Sequence, residues 1–381
     1  MRIGIDGLPL TEVLTGIGHY TNELARHLGR DGSADEIEVV SPRAFIHSLD
    51  SDNKSPDNLR FIRARVSLLN RRWWSIGLPR HIRRHSIDVF HGTNFEVPLQ
   101  SVCPTVLTVH DLSMLLHADT QEKKLVRRAR SRLPLMVRAA TMIVTPTESV
   151  RQEVHEYFQI PLERIVAVPE AARDCFRPLP KSATLATRKR LGIRDDFLLF
   201  VGTIEPRKDL MTLLHAFEAV LRARPQPLQL VLAGRKGWLV DDFFTSLKRS
   251  PAAERIVVTG YLCDEDLCAL YSSCSAFVYP SIYEGFGLPP LEAMACGAPV
   301  IASRIPSIEE VTGSAARLVR PGDVVEFSRV LIDVLGHFDE RQRLLSAGAR
   351  RTASFSWSQT ARLTRDVYSE ALERTGRTKL S

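Results

Sequence analysis

The chain has 381 residues, 44% of them hydrophobic and 25% charged, an ordinary composition for a soluble globular protein with room for two domains. No apolar run approaches the roughly 20 residues that span a bilayer. The opening MRIGIDGLPL lacks the charged-then-apolar pattern of a secretory signal and reads as a first strand, so a cytoplasmic location is expected.

The net charge of +7 is unevenly spread. Residues 60–138 hold 15 Lys and Arg against 5 Asp and Glu, which leaves the rest of the chain slightly acidic. A local basic surface implies an anionic partner: nucleic acid, phospholipid or a phosphorylated substrate. The six cysteines form no Cys-x-x-Cys pair and mostly sit in apolar surroundings. They are expected to be reduced, mostly buried thiols, with no disulfide framework and no zinc site.

In chain order, the strand-like runs of the first half are RIGIDG, IEVVS, LRFIRARV, DVFHG, TVLTVHD, MIVTPT and RIVAVP. Those of the second half are FLLFVGT, LQLVLAG, RIVVTG, AFVYP, PVIAS and ARLV. Short, continuous Val/Ile/Leu runs suit parallel strands buried on both faces, and the helical patterns between them suit right-handed crossovers. The pattern predicts an α/β chain with two doubly wound sheets. The boundary is expected in 174–196, with domains at 1–175 and 176–355, and 356–381 reads as a final amphipathic helix. In such sheets ligands bind beyond the carboxyl ends of the strands, so the residues just after each strand carry most information.

After the first strand, TGIGHY (15–20) resembles a phosphate-cradling turn through Gly16 and Gly18, but position 21 is Thr, so it is not the dinucleotide fingerprint. TVHDL puts His110 and Asp111 at a strand end, and DVFHG does the same for His91; either histidine is as readily structural. The segments 68–85 and 121–140 carry the basic excess. In the first, Arg71 and Arg72 adjoin Trp73 and Trp74, as a membrane-surface patch would, although Trp74 also fits a core. In the second, Lys123, Lys124, Arg127, Arg128, Arg130 and Arg132 crowd one predicted helix, which also fits an ordinary solvated face.

VGTIEPRKDL (201–210) ends a strand and opens a helix, with Arg207 and Lys208 at the turn. Two cations there can neutralise a diphosphate and stabilise it as a leaving group. Asp264 and Asp266 in GYLCDEDLCALY read as a helix N-terminus capped by Asp264 rather than as a metal pair.

The stretch SIYEGFGLPPLEAMACGAPVIAS (281–303) places Glu284 in a loop and Glu292 in the first turns of a helix. Gly285 and Gly287 permit close backbone approach, and Pro289 or Pro290 fits the first helical turn. Free N–H groups and the helix dipole make this an anion site. The carboxylates suit the vicinal hydroxyls of sugar and ribose rings. The plain alternative is a strand–helix turn with two solvated glutamates.

Taken together, Glu-x7-Glu in GFGLPPLEAMACGAPVIAS, GTIEPRKDL and the N-terminal glycine turn resemble family 4 glycosyltransferases over almost the whole chain. These are retaining enzymes of the GT-B fold, two Rossmann-like domains facing a cleft, with the last helix crossing back to the first domain. Within the family the chain resembles bacterial mannosyltransferases that build O-antigen or other surface polysaccharide.

The resemblance implies that Glu292 holds the ribose of a nucleotide sugar and that Glu284 binds the donor sugar, near Gly285, Phe286, Gly287 and Leu288. It implies that Arg207 and Lys208 bind the diphosphate, that Gly18 approaches it, and that His110 lies near the transferred sugar. Gly202, Gly234, Tyr261, Leu262 and Asp264 complete the donor-binding set, with the base near 261–264. The implied reaction is metal-independent, with GDP-mannose as donor, a lipid-linked saccharide as acceptor, and peripheral contact with the inner face of the cytoplasmic membrane through 68–85 and 121–140. Thr15 stands where many members carry a second glycine. A UDP-sugar transferase or a sugar-nucleotide epimerase remains an alternative reading. A nucleic-acid-binding protein leaves the Glu284/Glu292 block without a role.

Overall fold

The computed structural model describes residues 1–32, 34–46, 56–64, 72–100 and 102–376. They form two compact units: 1–112 with 127–170 and 356 onward, and 113–126 with 171–355.

The first unit is built on a seven-stranded sheet in the order β3-β2-β1-β4-β5-β6-β7, with every pairing parallel. Its strands are β1 Arg2–Asp6, β2 Glu36–Ser41, β3 Leu59–Arg63, β4 Val89–Gly92, β5 Thr105–Thr108, β6 Met142–Thr145 and β7 Ile165–Ala167. The second unit carries a six-stranded parallel sheet in the order β10-β9-β8-β11-β12-β13. These strands are β8 Asp196–Val201, β9 Leu228–Ala233, β10 Ile256–Gly260, β11 Ala276–Tyr279, β12 Val300–Ser303 and β13 Ala316–Val319. The α/β class is as expected. The central strands are buried on both faces, so each reads as an unbroken apolar run: Phe197, Leu198, Leu199 and Phe200 of β8 are wholly buried.

In each sheet the strand order reverses once, between β1 and β4 and between β8 and β11. Such a switch point leaves a crevice at the carboxyl ends of the two strands. The residues that follow β8 and β11 are therefore the ones placed to meet a ligand.

The final helix, Trp357–Arg374, opens with the Ser356 side chain accepting the Gln359 N–H at 3.2 Å. It packs within the first unit: Thr360 Oγ1 donates to the Pro169 carbonyl at 2.7 Å, and Arg365 meets Asp31 and Asp35.

Gly16 and Gly18 do not form a loop; they open the helix Gly16–Arg30, which follows Thr15. Trp73 is not a surface aromatic but is buried with Leu78, Ile82 and Phe90, and Trp74 packs half-buried on the same cluster. Burying an indole removes more apolar area from water than leaving it as an anchor. Arg71, with the rest of 68–71, lies outside the described residues. All six cysteines are free, but only Cys103, Cys268 and Cys296 are buried, while Cys175 and Cys263 are exposed in turns. No described helix is long and apolar enough to cross a membrane.

Candidate active site

Arg207 and Lys208 lie on a single 3-10 turn, Pro206–Lys208, beyond β8. Glu284 lies in the loop beyond β11, on the other side of the switch point. The two loops are tied together, since the Ile282 N–H donates to the Arg207 carbonyl at 3.0 Å. Lys208 Nζ sits 2.5 Å from Glu284 Oε1, and Arg207 Nη1 sits 2.8 Å from Glu284 Oε2. Arg207 also donates to Glu205 Oε1 at 2.6 Å and to the Tyr283 carbonyl at 2.7 Å. Lys208 adds a bond to the Tyr279 hydroxyl at 2.8 Å, and Ser307 Oγ fixes the Glu284 carbonyl at 2.6 Å.

Burial alone pushes the Glu284 carboxyl up, but Arg207 and Lys208 overcome this and hold it down at about 2. Glu284 is therefore an ionised acceptor at any physiological pH. The site sets two cations against two carboxylates, all largely shielded from solvent, where each charge acts strongly on an incoming group.

A second cluster surrounds Glu292, in the helix Leu288–Ala295. Tyr271 donates to Glu292 Oε2 at 3.3 Å, and Arg173 Nη2 lies 3.7 Å from Oε1. The same guanidinium grips Asp264 with both arms, Nη1 at 2.5 Å and Nη2 at 2.9 Å. Burial pushes Glu292 up to about 7; Arg173 opposes this and Asp264 adds to it. The two glutamates of the Glu-x7-Glu spacing are thus electrostatically unlike.

Cys263, not Asp264, precedes the helix Asp264–Ser273; Asp264 is its first residue and spends its side chain on Arg173 rather than on a cap. Asp266 is engaged by Arg190 and Thr187, so the two aspartates serve different partners.

Glycine is required where the loops approach most closely. A Cβ on Gly234, whose φ is +154, would stand 1.8 Å from the Gly202 carbonyl oxygen. Gly287 (φ +105) directly precedes the helix Leu288–Ala295, and a Cβ there would stand 2.4 Å from Ile308 Cδ1. Pro289 and Pro290 follow within the first helical turn, whose N–H groups lack intrahelical partners. The side chain of Phe286 is buried with Leu291 and Val311, and Leu288 packs against that cluster. Phe286 can therefore offer a ligand only its backbone. At the end of β10, Leu262 is buried, while Tyr261 is 56% exposed.

Gly18 and His110 belong to the first unit. A Cβ on Gly18 would press on Leu14 at 2.9 Å and on the Pro9 carbonyl at 3.1 Å, so the missing side chain serves helix packing there. His110 bonds the Thr93 carbonyl through Nε2 at 2.9 Å and approaches Glu170 through Nδ1 at 3.3 Å. Tyr20 packs edge-on against its ring at 4.8 Å. The ring is held from both nitrogens, beside the ends of β4 and β5. His91, by contrast, is wholly buried between Tyr368 and Thr108, and burial lowers it to about 3. It is a neutral structural histidine.

Arg173, Glu205, Tyr271, Tyr279 and Ser307 escaped the reading of the sequence. Tyr271 and Tyr279 look like core residues in apolar runs, and Arg173 and Glu205 carry no spacing signal. Only Glu205, two residues before Arg207, had a positional hint.

Residues 14–172 match the family model described as Glycosyltransferase Family 4, and residues 195–337 match that of Glycosyl transferases group 1. O-antigen chain mannosyltransferase B of Escherichia coli is 30% identical over 97% of this chain and 99% of its own length. The MMP alpha-(1→4)-mannosyltransferase of Mycolicibacterium hassiacum is 29% identical over 94% of this chain and 95% of its own. Among solved structures, sucrose-phosphate synthase from Thermosynechococcus elongatus superposes with a TM-score of 0.77 over 98% of this chain and 100% of that one, at 19% identity, a likeness of fold. With two parallel-sheet α/β domains and this family match, the chain belongs to glycosyltransferase family 4 and has the GT-B fold.

Proposed function

We propose that this glycosyltransferase moves mannose from GDP-mannose, with retention of configuration, onto a lipid-linked saccharide in the assembly of bacterial surface polysaccharide. Two full-length relatives named as mannosyltransferases, one of them for an O-antigen chain, support the sugar and the setting. The observation that carries the reaction is the seating of ionised Glu284 between Arg207 and Lys208 at the switch point of the second sheet.

The carboxylate of Glu284 keeps lone pairs for the hydroxyls of the donor sugar, and Glu292 serves the ribose. Arg207 and Lys208 stabilise charge on the departing diphosphate, which is the work a metal ion does elsewhere. With both its oxygens held by cations, Glu284 is a poor nucleophile. Asp264 is held by Arg173 and Glu205 by Arg207. This favours front-face substitution: the diphosphate leaves through an oxocarbenium-like state, the acceptor oxygen attacks the same face, and its proton passes to the leaving phosphate.

The helix Lys123–Ala139 supports peripheral membrane contact. It exposes Lys123, Lys124, Arg127, Arg128 and Arg130 together with Leu125 and Leu135, while Val126, Leu133 and Met136 face inward.

The test is transfer from GDP-mannose to a lipid-linked saccharide, with proton NMR of the new glycosidic bond. An α-mannoside formed from the α-linked donor supports retention. A β-mannoside overturns front-face substitution, and transfer from UDP-sugars alone overturns the donor.

A further inference from the structure

The helix Leu78–His85 carries His81 and His85 one turn apart, on the same face. Both reach one carboxylate on β2. Glu38 Oε2 lies 3.4 Å from His81 Nε2 and 2.9 Å from His85 Nδ1. The two imidazoles stack, with centroids 3.9 Å apart and planes at 23°.

Glu38 sits in the middle of its strand and is only 6% exposed. A carboxylate in that position needs a matching partner. Both imidazoles approach Glu38 at ion-pair distance. Glu38 Oε2 and His81 Nε2 are both cut off from solvent with no hydrogen-bond partner. An ion seated between these two buried atoms would satisfy both.

One donor atom from each of the three residues lies within 4.8 Å of the others. Two imidazole nitrogens and a carboxylate oxygen are the donors of a borderline-soft divalent ion, not of calcium or magnesium. Metal–ligand bonds of about 2.0–2.2 Å in a tetrahedron set the donors roughly 3.2–3.6 Å apart. The two imidazole–carboxylate spacings, 3.4 and 2.9 Å, already lie near that range. Three protein ligands leave a fourth position for water. The exposed Arg80, Arg83 and Arg84 on the same helix oppose a cation, but their charge is screened by solvent.

We propose that Glu38, His81 and His85 bind one divalent transition-metal ion, with zinc the best match, and that the ion pins the helix Leu78–His85 to β2. None of the three belongs to the set assigned to the sugar donor, so this site is structural and does not take part in transfer.

The test uses the full chain, free of any histidine tag and stripped with a chelator. Cobalt(II) is titrated while the visible absorption of four-coordinate cobalt is followed, and zinc is then added in competition. The expected result is one equivalent per chain, displaced by zinc, with a rise in Tm from zinc and none from magnesium. His85→Gln, a change at a half-exposed side chain, should weaken binding at least about tenfold while circular dichroism stays unchanged, and Glu38→Gln should do the same. A Cys175→Ser/Cys263→Ser variant should bind as the wild type does. No stoichiometric binding, binding unchanged in both His85→Gln and Glu38→Gln, or binding lost in the cysteine variant would each overturn the site.

Discussion

Lys208 Nζ lies 2.5 Å from Glu284 Oε1, and both groups are buried at the carboxyl edge of the second sheet. A buried pair of this kind contributes little net stability when whole but costs about 3–5 kcal/mol when one partner is removed. Glu284→Gln and Lys208→Met should each lower stability by roughly 3 kcal/mol in urea unfolding, and the double variant should lose much less than the sum. Additive losses would show that the two groups are not coupled. Each single variant should also lose at least about a hundredfold in kcat.

Acid should reveal the same pair. The Glu284 carboxyl is held at about 2, below its ordinary 4.5. Its contribution to stability is fully present above about 4.5 and is lost as pH falls toward 2. The acid limb of stability against pH should therefore be shallower in Glu284→Gln than in the wild type.

Glu292 runs the other way. Its folded pKa is raised to about 7 by burial, so the folded state holds a proton that the unfolded state has given up. Stability attributable to Glu292 falls as pH rises from about 4.5 to 7. Donor binding should show the opposite slope, because the ionised carboxylate is the better acceptor for ribose hydroxyls. Isothermal titration with GDP between pH 5.5 and 8 should show affinity rising through about 7. Glu292→Gln should bind weakly and flatten that profile, and a profile that stays steep would assign the titration to another group.

Gly234→Ala should cost more than about 2 kcal/mol. Its Cβ would meet the Gly202 carbonyl at 1.8 Å, and φ is +154. Gly322→Ala, also at positive φ but in open space, should cost only the smaller backbone strain, about 1 kcal/mol. Equal losses in denaturant unfolding would mean that the close approach at Gly234 relaxes freely.

The helix Lys123–Ala139 gives a further check. Lys123→Glu/Lys124→Glu/Arg127→Glu should reduce sedimentation with anionic vesicles several-fold and leave GDP binding unchanged. These three side chains are exposed, whereas Arg128 pairs with Glu96. Unchanged sedimentation would remove this helix from the membrane contact.

All thirteen described strands were legible: the central ones, buried on both faces, are unbroken apolar runs, and edge strands such as β3 and β10 still carry enough Val, Ile, Leu and Phe to be read. So were the places of Arg207, Lys208 and Glu284, in the segments that follow strand ends, and of Glu292 in the helix beyond; all four carry charge into apolar surroundings. What was not legible depends on long-range pairing. Nothing near Arg173 says that it will grip Asp264 and approach Glu292. Nothing near Trp73 says that it will be buried beside Phe90. His81 and His85 show a helical spacing, but Glu38, some forty residues earlier, looks like the polar member of an ordinary strand.

The most direct test of the donor site is a thermal-shift panel of GDP-mannose, GDP, UDP-glucose, UDP-GlcNAc, UDP-galactose and UDP, each with and without EDTA. A ligand that binds only the folded state must raise Tm. Tm should rise with GDP and GDP-mannose alone, with the rise unaffected by EDTA and absent in Glu292→Ala. A rise confined to the UDP series, or one that EDTA abolishes, would contradict it.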